Sequence, residues 1–231
     1  MQAEDRPIHF STELMHIPKS HAVPVLQRLY FDWSQSRVTS FDNIELTPPG
    51  PPKFYSRRGE KTHSAAVFLP DRILFAEEWV DLPMAQFLDK VDKASAVALD
   101  VLEIPAYVAQ TVTIRTTFAL THFQDARVFL IDNACRQAGR IGPHFQRPIA
   151  VGGLRFVLPE TPDHPGTLHI IIESYRHGLN EVYIEVKGIF PNTVISAQSE
   201  MKPRDHVQRV RSFISSHIYP YLNQFDQSGV V

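Results

Sequence analysis

An acid and a base lie two residues apart in the segment EVYIEVKG, and a further acid precedes them in the proline-bounded turn PDHPG. Polar and apolar residues alternate along the first segment. This alternation predicts a β-strand, because successive side chains of a strand point to opposite faces of the sheet. Glu185 and Lys187 then share one face, and three aliphatic residues take the other. The upstream acid is Asp163.

A Pro-Asp pair before one strand and Glu-x-Lys on the next resemble the core of the PD-(D/E)xK nucleases. The resemblance implies that Asp163 and Glu185 hold Mg²⁺ and that Lys187 positions the attacking water or stabilises the developing charge. The final strand of that family is not evident here. A solvated sheet face with an acid and a base side by side is the other interpretation.

Histidines and cysteine provide no pattern that is typical of a metal or cofactor site. His164, His169 and His177 belong to one predicted hairpin, but their spacing crosses faces and turns instead of converging. Cys135 is the single cysteine, which excludes an intramolecular disulfide and a multi-cysteine zinc site. No glycine-rich phosphate loop is evident. We therefore expect no metal and no cofactor.

Composition narrows the class of protein. Of the 231 residues, 43% are hydrophobic and 21% are charged, as in ordinary globular proteins. The net charge of -2 makes nucleic acid an unlikely general partner. No apolar run approaches the roughly 20 residues that span a bilayer, and the acidic start MQAEDRPIHF does not resemble a signal peptide. These features predict a cytoplasmic protein without a membrane partner.

The predicted elements occur in the same order twice. Residues 1–106 read as strand, helix, four strands and long helix, and residues 107–231 read the same way, with TVISAQS as the last short strand. The proline-rich connections TPPGPP and ETPDHPG correspond in place, and Pro70 corresponds to Pro191. This order predicts an internal duplication, although two unrelated halves could share it by accident.

Both long helices carry an apolar stripe at helical spacing, which predicts one buried face on each. The residues expected in the core are Phe87, Leu88, Val91, Val210, Phe213 and Ile214.

Strand, helix, four strands and helix, given twice, resemble the TATA-binding-protein-like fold, which is a saddle of two such halves. The resemblance implies an α+β fold in which two homologous halves form one curved, mostly antiparallel sheet with helices packed on one face. Members of that fold class bind nucleic acid, other macromolecules or small ligands, so the fold does not determine the function. The segments IRTTF and YIEV and the closing helix are also similar to those of a sporadically distributed bacterial family, which implies a bacterial protein but no activity.

The sheet face opposite the helices is the predicted binding surface. It carries the residues Arg115, Arg155, His169, Glu173, Tyr183, Glu185 and Lys187. Tyrosine and arginine are the types that anchor protein interfaces. The sequence therefore predicts a non-catalytic binding or adaptor module that engages a protein partner or a second copy of itself. An ordinary polar surface, the nuclease and a nucleic-acid saddle are the alternatives.

Overall fold

The computed structural model describes residues 5–35, 41–59, 61–80 and 82–227. The strands are β1 (Asp5–His16), β2 (Asn43–Glu45), β3 (Lys53–Arg58), β4 (Thr62–Leu69), β5 (Arg72–Glu78), β6 (Tyr107–Ala119), β7 (Gly153–Leu158), β8 (Thr167–Ser174) and β9 (Glu181–Phe190). The helices are α1 (Val23–Gln35), α2 (Met84–Val101), α3 (Ala126–Val128), α4 (Ile141–Phe145), α5 (Pro203–Phe213) and α6 (Tyr219–Asn223). Two π-helical turns continue α3 through Phe129–Ala134 and α5 through Ile214–Ile218.

All nine strands form one antiparallel sheet that does not close on itself, in the order β2-β3-β4-β5-β1-β6-β9-β8-β7. The central pair is β1 and β6, the first strands of the two predicted halves. Outwards from this pair, the first half adds β5, β4, β3 and β2, and the second half adds β9, β8 and β7. The predicted boundary at residues 106–107 lies between α2 and β6, and the sheet runs continuously across both halves.

The long helices pack on one face of the sheet, where most of the hydrophobic side chains lie. Phe10 of β1 is opposite Ile114 of β6 on this face. The ring of Phe87 in α2 lies 5.6 Å from that of Phe10. α5 approaches β9 at Gly188, where an added Cβ would lie 2.7 Å from Cγ2 of Val210. Glycine is therefore needed at this contact between helix and sheet.

Five of the six predicted core residues are confirmed. Phe87, Leu88, Val91, Val210 and Ile214 are all at most 6% exposed. Phe213 is only partly buried, because it lines a cavity at the edge of the sheet.

The strand predicted over TVISAQS is wrong. In the described part of this segment, a single isolated bridge joins Ile195 to Tyr107. β9 ends at Phe190, because Pro191 lacks an N–H and Asn192 adopts a φ of 61°. Ile195 and Tyr107 exchange both backbone hydrogen bonds at the end of β6 that β9 does not reach, but the pairing stops at this one bridge. The second half consequently has one strand fewer than the first.

The predicted correspondence of Pro70 with Pro191 depends on which strands of the two halves are compared. Pro70 lies in the turn between β4 and β5, whereas Pro191 follows β9. β5 and β9 are the strands beside the central pair, so the two prolines lie at opposite ends of equivalently placed strands. Counted along the chain instead, each proline directly follows the fourth strand of its half, β4 or β9, so the correspondence stays a prediction.

A buried hydrogen-bond network joins the two halves where they meet. Nε2 of Gln110 donates to Oγ1 of Thr12 at 2.9 Å and to the carbonyl of Pro203 at 2.8 Å. The Pro203 carbonyl can only accept, so it must face the amide nitrogen of Gln110. The amide oxygen then faces His206 and accepts a hydrogen bond from Nδ1 at 2.8 Å. The ring of His206 stacks on Phe190 at 3.9 Å. Burial lowers the pKa of His206 to about 4, so its imidazole is neutral near pH 7.

The π-helical turn after α5 has a local cause in the sequence. Pro220 lies in the first turn of α6, and a proline has no N–H and collides with the carbonyl four residues earlier. The wider turn accommodates it. The turn also places Ser216 and His217 beside the connection from β7 to β8.

None of the described helices could cross a bilayer. The longest is α2, with 18 residues, and charged side chains recur along it.

Candidate functional site: the open face of the sheet

The side of the sheet opposite the helices is called the open face. It is defined by Arg115 of β6, Glu185 of β9 and the residues level with them on the other strands. Every helix contact described above lies on the other face. The side chains of Arg115 and Glu185 are 38% and 21% exposed, so a partner could reach both.

One row of residues crosses eight strands of this face. Each member lies opposite the next in the strand register, so their side chains are neighbours on one side of the sheet. In order from β3 to β7 the row is Arg57, His63, Glu78, His9, Arg115, Glu185, Ile171 and Arg155. Cationic, anionic and imidazole groups therefore alternate along most of its length.

The second half contributes the centre of the row. Nε of Arg115 donates to Oε2 of Glu185 at 2.7 Å, and the hydroxyl of Tyr183 donates to the same oxygen at 3.0 Å. Burial raises the pKa of Tyr183, and the neighbouring Glu185 carboxylate raises it further. The phenol therefore stays protonated and keeps donating across the physiological pH range.

The first half contributes a matching polar pair beside it. Nδ1 of His9 lies 2.7 Å from Oε1 of Glu78, and Nε2 of His9 lies 2.8 Å from the hydroxyl of Ser11. The hydrogen bond with His9 lowers the pKa of Glu78. Burial lowers the pKa of His63, and the nearby Arg57 lowers it further. The centre of the open face is thus a set of oriented polar groups with satisfied hydrogen bonds.

The remaining predicted residues surround this centre. Lys187 lies opposite His169, Glu173 lies opposite Tyr183, and Arg155 lies opposite Ile171. Among the described residues, Lys187, His169 and Arg155 have no hydrogen-bond or ion-pair partner. The structure therefore brings all seven predicted residues to one face, three of them in direct contact, and leaves cationic groups free beside them.

Sequence reasoning missed the first-half residues of the site. His9, Glu78, His63 and Arg57 extend the row across the centre, because β1 pairs with β6 and places His9 opposite Arg115. The alternation within β1 and β5 carried the signal for which side chains share a face. What it lacked was the pairing of the two strands, which depends on contacts between distant parts of the chain.

The structure separates the residues of the nuclease hypothesis. Glu185 lies opposite Ile171, and β8 begins four residues earlier, at Thr167. At about 3.3 Å per residue this is about 13 Å, and Asp163 lies beyond it in the exposed turn before β8. Lys187 shares the open face with Glu185, but Glu185 is paired with Arg115. A shared Mg²⁺ would need both carboxylates within about 2.1 Å of the ion, and this arrangement does not provide that.

Within the described ranges, no group of three or more histidine, cysteine, aspartate or glutamate side chains is arranged to hold a metal ion. The side chains of the open face can form hydrogen bonds and charge pairs with a second molecule.

No protein-family model matches this chain. The search of curated proteins also found no similar sequence.

Proposed function

We propose that this protein is a non-catalytic binding module and that its open face binds an acidic surface of a protein partner. The observation that carries the proposal is the row of charged and polar side chains that crosses eight strands. Its centre is pre-oriented by the bonds of Glu185 to Arg115 and Tyr183, so binding would order few additional groups.

The charge of the unpaired groups supports an acidic partner. Lys187 and Arg155 have no carboxylate partner among the described residues, and His169 lies opposite Lys187. Acidic side chains of a partner would satisfy these groups at the edge of an already paired centre. Complementarity of this kind gives specificity and fast association.

Nucleic acid fits this face less well. Glu78, Glu173 and Glu185 are interspersed with the cations, and they would repel a phosphate backbone. The net charge of -2 provides no wider attraction. The alternation of charge instead favours a partner that carries both acidic and polar side chains.

Site-specific photo-cross-linking in cells of the source organism tests the proposal. A benzophenone amino acid replaces Val157, which is 52% exposed on the open face, or Val128, which is 47% exposed on the helix side. We expect a protein adduct from position 157 and none from position 128. Loss of the adduct in Arg155→Glu/Lys187→Glu would show that it depends on the free cations.

A matched variant separates this effect from a general loss of positive charge. Arg140→Glu/Arg147→Glu makes the same change in net charge at exposed positions between α3 and β7. This variant should keep the adduct. The proposal would be contradicted by equal loss of the adduct in both double variants or by equal cross-linking from positions 157 and 128. Adducts with nucleic acid alone would also contradict it.

The proposal also predicts an enzymatic result. Because Asp163 and Glu185 do not converge, we expect no cleavage of DNA or RNA with Mg²⁺ or Mn²⁺, and no change on Glu185→Ala. Metal-dependent cleavage that any one of the substitutions Asp163→Ala, Glu185→Ala or Lys187→Ala abolishes would instead support the nuclease.

We further propose that the two halves arose by duplication and form a curved, TATA-binding-protein-like saddle. Support comes from the strand order, in which each half runs outwards from a central first strand, and from helices that pack on one face. The proposal predicts that sequences of relatives, aligned separately for each half, will match β1 with β6 and β5 with β9. A match only in another register would contradict it.

We also propose a cytoplasmic location. A reducing compartment is consistent with Cys135 as the single cysteine. Fractionation of the source cells would test this.

A further inference from the structure

A cavity of about 590 Å³ lies on the helix side of the sheet, between the β7–β8 connection and α5. Its volume is in the range of about 300–1,000 Å³ that is usual for small-molecule sites. The residues that line it are Leu158, Pro159, Thr161, His164, Pro165, Gly166, Leu168, Arg209, Ser212, Phe213, Ser216 and His217.

The walls of the cavity are apolar. Leu158, Leu168 and Phe213 provide the largest hydrophobic surfaces, and none of the three is fully buried. Gly166 adopts a φ of 87°, and an added Cβ there would lie 2.4 Å from the ring of Phe190. The chain therefore turns tightly at the floor of the cavity, where a larger residue could not fit.

The polar side chains that α5 and its π-helical continuation contribute to the cavity favour an anion. Arg209 of α5 lines it, together with Ser212 and the π-helical turn residues Ser216 and His217. None of the described residues that line the cavity is acidic, and Arg209 has no hydrogen-bond or ion-pair partner in the described part of the chain. An arginine can bind a carboxylate or sulfonate through two parallel hydrogen bonds.

We propose that this cavity binds a small amphiphile with an apolar body and an anionic head group, such as a medium-chain or aromatic carboxylate. The body packs between Leu158, Leu168 and Phe213. The head group pairs with Arg209 and accepts hydrogen bonds from Ser212 or Ser216. This site lies on the opposite side of the sheet from the open face and does not depend on the function proposed for that face.

Two fluorescent probes with the same aromatic body test the proposal. 1-Anilinonaphthalene-8-sulfonate carries an anionic group, and N-phenyl-1-naphthylamine does not. We expect the full-length protein to bind the sulfonate about tenfold more tightly or better, since a hydrogen bond to a charged group contributes at least about this factor. Decanoate should displace the sulfonate.

Variants then assign the binding to the cavity. Arg209→Gln should weaken sulfonate binding about tenfold or more and leave the uncharged probe within about twofold. Arg211→Gln is the matched control, because this arginine is on the same helix but lines a different cavity. It should change neither affinity. Ser216→Trp should fill the cavity and abolish binding of both probes, while thermal unfolding by circular dichroism checks that each variant is folded.

Three results would overturn the proposal. The first is no saturable binding of either probe or of decanoate. The second is equal affinity for the two probes with no effect of Arg209→Gln. The third is a dimer in sedimentation that Ser216→Trp dissociates, which would assign the cavity to an interface with a second copy.

Discussion

At the β2 end of the sheet the helix side is filled by aromatic rings, whereas at the β7 end apolar side chains on that side stay exposed. Trp33 of α1 is 1% exposed, and its ring lies between 5.4 and 6.0 Å from those of Phe41, Phe54, Phe68 and Phe75. Phe156 and Leu158 of β7 are 41% and 40% exposed. The same layer of the molecule is therefore a packed core at one end and an exposed apolar surface at the other.

The difference follows from how much chain each half places there. At the β2 end, the 13 residues of α1 cover the helix side of the sheet, and β2 pairs with the outer edge of β3. α3 has 3 residues plus a π-helical turn of 6, and β7 is the last strand. A sheet that needs a helical layer for its apolar face receives an incomplete one at β7. This gap is what creates the cavity.

The largest effect that we expect comes from removing the centre of the aromatic cluster. Trp33→Ala should lower the free energy of unfolding by about 4 kcal/mol, because the cavity that it leaves lies among rigid neighbouring rings. Urea denaturation with a fitted midpoint measures this. Trp33→Phe is the conservative control and should lose clearly less. A loss below about 1 kcal/mol for Trp33→Ala would remove the distinction between the two ends.

The two halves also attach their long helices to the sheet differently. In the first half, Nζ of Lys90 on α2 lies 2.7 Å from Oε1 of Glu77, and the hydroxyl of Ser64 donates to the same oxygen at 2.8 Å. In the second half, α5 is held by neutral contacts of His206 with Gln110 and Phe190. One attachment is ionic and the other is not.

Lys90→Ala should therefore cost about 3 kcal/mol, because it leaves Glu77 charged and only 3% exposed. Urea denaturation at pH 7 measures the loss. The double variant Glu77→Leu/Lys90→Met should lose less than Lys90→Ala, since it removes both charges together. If the double variant is less stable than Lys90→Ala, the ion pair stabilises the fold more than an apolar pair at the same positions does.

The neutral attachment should respond to pH. The pKa of His206 is about 4 in the folded protein and near 6.5 in the unfolded chain, so only the unfolded chain is protonated between these values. Stability is fully present above pH 6.5 and falls as the pH is lowered towards 4. His206 should account for about 2 kcal/mol of that loss.

Subtracting the His206→Gln profile isolates this contribution, because the carboxylates and the other histidines titrate in both proteins. Chemical denaturation at half-unit intervals from pH 4 to pH 7.5 provides the two profiles. A difference between the profiles that is constant with pH would show that His206 can be protonated without cost in the folded state.

The smallest effect belongs to the β7 end. Phe156→Ser should change the free energy of unfolding by less than about 1 kcal/mol, because the ring already has 41% of its surface in water. Urea denaturation of Phe156→Ser and Trp33→Ala under the same conditions compares the loss of unfolding free energy at the two ends of the sheet directly. A loss comparable to that of Trp33→Ala would mean that β7 belongs to the core.

Which side chains share a face could be predicted from the sequence. Alternation within β6, β8 and β9 predicted that Arg115, His169 and Glu185 would lie on one side of a sheet, and this is where the structure has them. The helical stripe predicted Phe87 and Val210 as core residues, and both are buried. These are local properties, because the backbone of a strand or a helix fixes the direction of each side chain from its place in the chain.

Which strands are neighbours could not be predicted from local patterns. The pairing of β1 with β6 brings His9 to Arg115 across about a hundred residues of chain, and no local pattern specifies that contact. The single bridge of Ile195 with Tyr107 has the same origin, since it too joins distant parts of the chain. The cavity beside Arg209 depends on how far α3 and α5 reach over β7. The pairing of strands and the part of the sheet that each helix covers depend on the packing of the whole sheet. A local sequence pattern therefore does not predict them.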